Sequence, residues 1–196
     1  MMPAALALTL SITVLAMQDA PPAADLEVAP RTQFQSPEAR LEQRLDALAN
    51  AGTPEEAVPL VDEIHALWAH SGSDTISLLM DRGEAAETAG NDEIAARMYD
   101  HVTRLAPDYA EGWLASGRVA THFEDWTYAL ETLNTALQLE PRRYDAYLTL
   151  ARVLEQAQEF QGALDAYDEA LSIFPAHEGA REARDRIAAR LAGRAL

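Results

Sequence analysis

A chain of 196 residues, 48% hydrophobic and 24% charged, is long enough for a well-buried domain and too apolar for wholesale disorder. Its net charge of −17, with all fifteen basic residues arginine against 32 acids, repels nucleic acid and anionic membrane surfaces at long range. With no cysteine, it has no thiol nucleophile, disulfide, iron–sulfur cluster or cysteine-ligated zinc.

Residues 1–17, MMPAALALTLSITVLAM, are apolar or hydroxyl-bearing throughout. The run has about the length of a signal-peptide apolar region and falls short of the roughly 20 residues of a membrane span. Val14 and Ala16 supply the small residues of a cleavage site, although no basic residue precedes Arg31. The expectation is a periplasmic or secreted protein with no stable membrane insertion after cleavage. The alternatives are a cytoplasmic protein, or one anchored to the envelope through an uncleaved N-terminus. No cysteine follows the run, which excludes lipoprotein attachment. Residues 18–36, rich in Pro and Ala and without periodicity, read as an extended spacer.

Residues 37–73 predict two helices, a divergent hairpin or N-terminal cap. Ser36-Pro37 and Thr53-Pro54-Glu55-Glu56 have the form of N-caps followed by proline at the first helical position. Pro59 predicts an early kink or a late start for the second helix. Ile64, Leu67 and Trp68 form an apolar stripe expected to pack on the next hairpin.

Pro107, Pro141 and Pro175 are spaced by 34 residues, and the phrases around them, LAPDYAEGW, LEPRRYDAY and IFPAHEGAR, are versions of one another. With proline at position 32, the repeats run 76–109, 110–143 and 144–177, and their apolar residues align. Position 8 is Gly83, Gly117 and Ala151; position 20 is Ala95, Ala129 and Ala163; position 24 is Tyr99, Leu133 and Tyr167. Such spacing places them on single helix faces, and predicts two antiparallel helices per repeat with position 8 opposite position 20. The proline cannot continue the second helix, so each phrase is a corner between hairpins. Residues 178–196 predict a capping helix, apolar at Ala180, Ala183, Ile187 and Leu191 and arginine-rich on the other face.

The phrases EGWLASGRVA, WTYALETLNTALQLEP and YLTLARVLEQAQEFQGALDAYDEALSIFP, with the period of 34, resemble the tetratricopeptide repeat (TPR) family. The stretch ALWAHSGSDTISLLMDRGEAA is similar to small exported bacterial members. The resemblance implies an all-α, right-handed α-solenoid of hairpins and a non-catalytic module that binds a protein or peptide partner. It also implies a concave groove lined by the first helices, with partners held at positions 2, 5, 9, 12 and 13. Carried onto this chain, the groove residues are Met80, Glu84 and Glu87; Leu114, Arg118 and His122; Leu148, Arg152 and Glu155. Position 5 gives an apolar stripe of Met80, Leu114 and Leu148, and position 9 a pair of arginines, Arg118 and Arg152. An extended peptide with an apolar side chain and a carboxylate satisfies both. The competing reading pairs these arginines with acids such as Glu111 and Glu155. The family's carboxylate clamp uses Lys and Asn in its first repeats, where this chain has Met80, Glu84 and Ala115.

Neither a cofactor nor a metal is expected. The five histidines fall at unrelated positions and read as corner or solvated residues, and no phosphate-binding, HExxH or GxSxG spacing occurs. Trp126 and Tyr128 read as packing residues, or as a second contact surface on the convex side. A second reading of the whole chain is a self-associating structural element that uses its arginine-rich last helix.

Overall fold

The computed structural model describes residues 35–194, so the expectations for residues 1–34 lie outside the described part. Among the described residues there are nine α-helices and no strands: α1 Pro37–Ala49, α2 Pro54–Trp68, α3 Asp74–Thr88, α4 Asp92–Leu105, α5 Ala110–His122, α6 Trp126–Leu139, α7 Tyr144–Gln156, α8 Phe160–Ile173 and α9 Glu178–Arg194. They form an all-α solenoid in which α3–α4, α5–α6 and α7–α8 are antiparallel hairpins and α9 packs on α8.

Local chemistry sets the helix ends. Ser36 and Thr53 accept hydrogen bonds from the backbone N–H groups of Ala39 (3.2 Å) and Glu56 (3.3 Å), and a proline follows each at the start of its helix. The Glu56 carboxylate reaches back to the Gly52 N–H at 2.9 Å, so two otherwise unpaired donors are satisfied at one helix start. Pro59 neither delays nor ends α2, which runs from Pro54 through it to Trp68.

Inside each hairpin the chain turns through one left-handed residue, Gly90 (φ +71°), Glu124 (φ 56°) and Gln158 (φ 62°), all at position 15 of their repeats. The next residue donates back across the turn, Asn91 to Ala86 (2.8 Å), Asp125 to Ala120 (3.1 Å) and Glu159 to Leu154 (2.9 Å). This closure consumes a free carbonyl at each first-helix end, and only repeat one uses the residue type that adopts the conformation without steric cost.

Close packing within the hairpins depends on position 8, but its partner differs from the sequence expectation. A methyl group added at Gly83 would overlap the Tyr99 ring, and one at Gly117 would lie 2.8 Å from Leu133 Cγ. Position 8 therefore faces the bulky position 24 rather than the small position 20. The absent side chain makes room for a ring or isobutyl group, and position 20 is buried separately at Ala95, Ala129 and Ala163.

The first hairpin departs further. Ile64 and Trp68 are buried, but with Tyr144, Ile173 and Phe174 at the far end of the solenoid rather than on repeat one; Leu67 is only half-buried. The physical reason lies in the corners, since Tyr144 and Phe174, packed edge to face, present a contiguous apolar surface against which Trp68 lies tilted, at a ring separation of 5.6 Å from Tyr144.

Candidate functional site

The first helices of the hairpins, α5 and α7, together with α9, line three adjoining cavities of about 520, 460 and 370 Å³. Arg152 borders all three. Its Nη2 donates to Thr149 Oγ1, on its own helix, at 3.3 Å, and among the described residues no carboxylate lies within ion-pair distance of it. The side chain is exposed.

Arg118, one repeat earlier, is committed. Its Nε and Nη2 donate to the two Glu87 oxygens at 2.8 and 2.9 Å, and the Tyr99 hydroxyl donates to the same carboxylate at 3.0 Å. Burial pushes the Glu87 carboxyl upward, but the Arg118 hydrogen bonds and charge, helped by Tyr99, hold it below the usual carboxylate range. The Tyr99 hydroxyl is driven well above its ordinary value by burial and by the Glu87 charge. Glu84, also on the cavity wall, moves the other way: burial and then Glu111 raise its carboxyl.

The apolar stripe is corrected. Met80 is 5% exposed and packs with Tyr99 in the core of repeat one, and Leu114 is 4% exposed and packs with Val153. Of the three, Leu148, half-buried between two cavities, offers the most apolar side-chain surface, while Leu114 reaches one cavity wall with little exposure. The acid pairings also differ from Glu111 with Arg118 and Glu155 with Arg152. Glu111 binds Arg143, and Glu155 accepts from the Tyr167 hydroxyl at 2.6 Å and from Arg186 at 3.4 Å. His122 Nδ1 lies 2.9 Å from Asp92 Oδ1 and lines the middle cavity with Trp126, which therefore faces the groove side and not the convex side.

Sequence reasoning missed two residues. Arg143 is the largest fully buried side chain; it donates to Glu111 and to Asp145 (2.8 Å), with its guanidinium 4.4 Å from the Trp68 ring centroid. The only signal was the Arg-Arg pair in the second corner phrase. His177 Nδ1 accepts from the Ala180 N–H at 3.0 Å, capping α9 and leaving the hydrogen on Nε2 at the edge of the 520 Å³ cavity. Burial lowers its pKa, which favours that neutral form.

Four arginines of α9 are engaged within the chain. Arg184 pairs with Asp168 (2.8 Å), Arg186 with Glu155, Arg181 with the Pro175 carbonyl, and Arg190 lies 4.1 Å over the Phe160 ring centroid. Among the described residues, no three His, Asp or Glu side chains gather to hold a metal ion, and no helix is long and apolar enough to cross a membrane.

A solenoid of helix hairpins with cavities along its first helices is the architecture of a repeat-built interaction scaffold. The sequence matches the tetratricopeptide repeat family over residues 80–139 and 123–178. It is 31% identical over 163 residues to a TPR repeat-containing protein of Rhizobium etli, covering 83% of this chain and 80% of that one. The chain belongs to the tetratricopeptide repeat family. Among solved structures it is similar to the Arabidopsis OM64 TPR domain (TM-score 0.58, 17% identity, 60% of this chain and 97% of that one). It is also similar to the first TPR of Spaghetti bound to an HSP90 peptide (0.60, 18%, 61% and 95%) and to the TPR2B domain of yeast Sti1 in complex with pHsp70 (0.54, 21%, 59% and 94%).

Proposed function

We propose that this protein is a non-catalytic scaffold that holds an extended segment of a partner protein along α5, α7 and α9, with Arg152 receiving a carboxylate. The observation that carries this reading is the position of Arg152 at the junction of three cavities with no acid at ion-pair distance among the described residues. A guanidinium so placed presents a fork of donors matched to a planar anion, and Leu148 and Trp126 beside it supply apolar contact. One structural neighbour has an HSP90 peptide, SRMEEVD, bound to a fold of this kind, and that peptide ends in an aspartate; another is a complex with pHsp70. In this chain Arg118 is held by Glu87, so the groove has one available arginine rather than the pair the repeat register suggests.

The setting we propose is an exported protein of a cell-envelope assembly, a reading supported by the apolar stretch at residues 1–17. Self-association through α9 is less favoured, because Arg181, Arg184, Arg186 and Arg190 are engaged within the chain. The test is affinity capture from envelope extract with the wild-type chain and with Arg152→Glu, which reverses one exposed charge without touching a hairpin core. A partner retained by the first and lost by the second supports the groove; equal retention refutes it.

A further inference from the structure

Helix α2 does not continue the stack of hairpins. Helix α4 packs along α5 and α6 along α7, but α2 has no comparable packing along α3. Instead it is laid across successive corners of the solenoid. Its C-terminal end meets the first corner, where the Tyr109 hydroxyl donates to the Ala69 carbonyl at 2.8 Å. Its last turns meet the second, where His65 Nε2 lies 2.9 Å from the Tyr144 hydroxyl and Trp68 lies under Arg143. Its first turns face the third, where Pro54, Val58 and Val61 border a cavity of about 400 Å³ with Phe174, Ala176 and His177. Fifteen helical residues span about 22 Å, which matches two corner-to-corner steps of about 10 Å each. Helix α1 adds a clasp, with Glu42 and Asp46 accepting from Arg142 at 2.7 and 3.0 Å.

Three features distinguish this seam from the cores of the hairpins. The Trp68 indole N–H is buried with no acceptor, whereas buried donors are nearly always paired. The polar heart of the seam is an ion cluster, Arg143 with Glu111 and Asp145, which stays complete without Trp68 because all three members belong to the repeats. The 69–73 link contains Gly72 at φ +68°, with nothing within 4 Å of an added Cβ, so the backbone there is uncrowded. Lifting α1–α2 therefore opens the cluster it shares with Tyr144, Ile173 and Phe174, but leaves the cores of the three repeats closed and the Arg143 cluster paired, and frees the indole N–H to bond water.

We infer that the α1–α2 hairpin is a releasable strap: a segment of this chain that docks in cis on a corner face made by Arg142, Arg143, Tyr144, Ile173 and Phe174, and lifts about the 69–73 link. The bound chemistry is an amphipathic helix offering one indole to the face and two carboxylates to Arg142. The strap also borders the groove, since His65 and Ala69 line the 370 Å³ cavity with Arg152, but Trp68 and Arg152 can be changed separately, so the two readings are tested apart.

Hydrogen exchange of the full chain tests it, together with two variants. Trp68→Ala weakens the strap; Glu42→Cys with Arg142→Cys, joined by a short bismaleimide, locks it, and the absence of native cysteine makes that link specific. The expected result is that amides of α1 and α2 exchange as one unit, faster than those of α5–α8. Trp68→Ala should accelerate that unit by about tenfold while leaving α3–α6 unchanged, and the cross-link should slow it. A labelled peptide of residues 37–69 should bind the Trp68→Ala chain and not the cross-linked one. Exchange of α1–α2 only together with the rest of the wild-type chain would overturn the release. Should Trp68→Ala unfold the protein, the wild-type and cross-linked chains still decide that point. A free strap with no peptide binding would overturn the docking face.

Discussion

Replacing Arg143 by methionine keeps the length and packing of the side chain but removes the one cation among the described residues that bonds Glu111 and Asp145 at the second corner. Arg143 is 2% exposed at its side chain, Glu111 16% and Asp145 22%, so both carboxylates would be left largely out of water. Removing one partner of a buried ion pair costs about 3–5 kcal/mol because the remaining charge is stranded, and residual exposure of the two acids places this case near the lower figure. About 3 kcal/mol corresponds to a fall in melting temperature of about 6–12 °C for a domain of this size. Thermal and urea unfolding followed by circular dichroism at neutral pH measure it directly. The triple change Arg143→Met, Glu111→Gln, Asp145→Asn should recover most of the loss, since no charge is then stranded. A melting temperature for Arg143→Met within a degree or two of wild type would refute the reasoning, because it would mean that the cluster is hydrated in solution.

Gly83→Ala should cost about 1–3 kcal/mol, because the new methyl meets the Tyr99 ring and neither hairpin partner can yield without opening the core; urea midpoints report it. Gln158→Gly should raise stability by about 0.5–1 kcal/mol by relieving the left-handed backbone at the third hairpin turn, where Gly90 already stands in the first. Glu84, on a cavity wall, and Glu87, bonded to Arg118, should show opposite pH effects. Glu87 has a lowered pKa, so its contribution is present above the unfolded carboxyl value of about 4.3 and is lost as pH falls through the lower folded value. Arg118→Met should flatten that acid limb. Glu84 has a raised pKa, so its ionisation costs stability, and Glu84→Gln should stabilise at neutral pH with a gain that vanishes below about pH 4.3. Urea midpoints from about pH 3 to about pH 7 separate the two.

The repeated part of the fold was legible because a solenoid writes its packing into the sequence at a fixed period. Three prolines at intervals of 34, and small residues recurring at positions 8 and 20, define the hairpins without any long-range information. Which position faces which was less legible, since Gly83 opposite Tyr99 and Ala95 buried elsewhere produce the same spacing in one dimension. The stripe of Met80 and Leu114 failed for a related reason: helical periodicity places a residue on a face but does not say how far the next hairpin covers that face. The docking of α2 was not legible at all. Contacts such as His65 with Tyr144 join residues 79 positions apart outside the repeat, so no period announces them. Ionic partners were misassigned because a chain with 32 acids offers every arginine several candidates, and only geometry selects Glu87 for Arg118 and leaves Arg152 without one among the described residues.

The most direct test of the groove as a partner site is photo-crosslinking in cells from two positions of the full chain. Gln156 borders two of the three cavities beside Arg152, and Leu139 is 40% exposed at the end of α6, away from them. A photoreactive residue at 156 should give a discrete adduct with a partner protein, abolished by Arg152→Glu, and one at 139 should give none. Adducts from 139 and not from 156 would contradict the account and move recognition to the second-helix face.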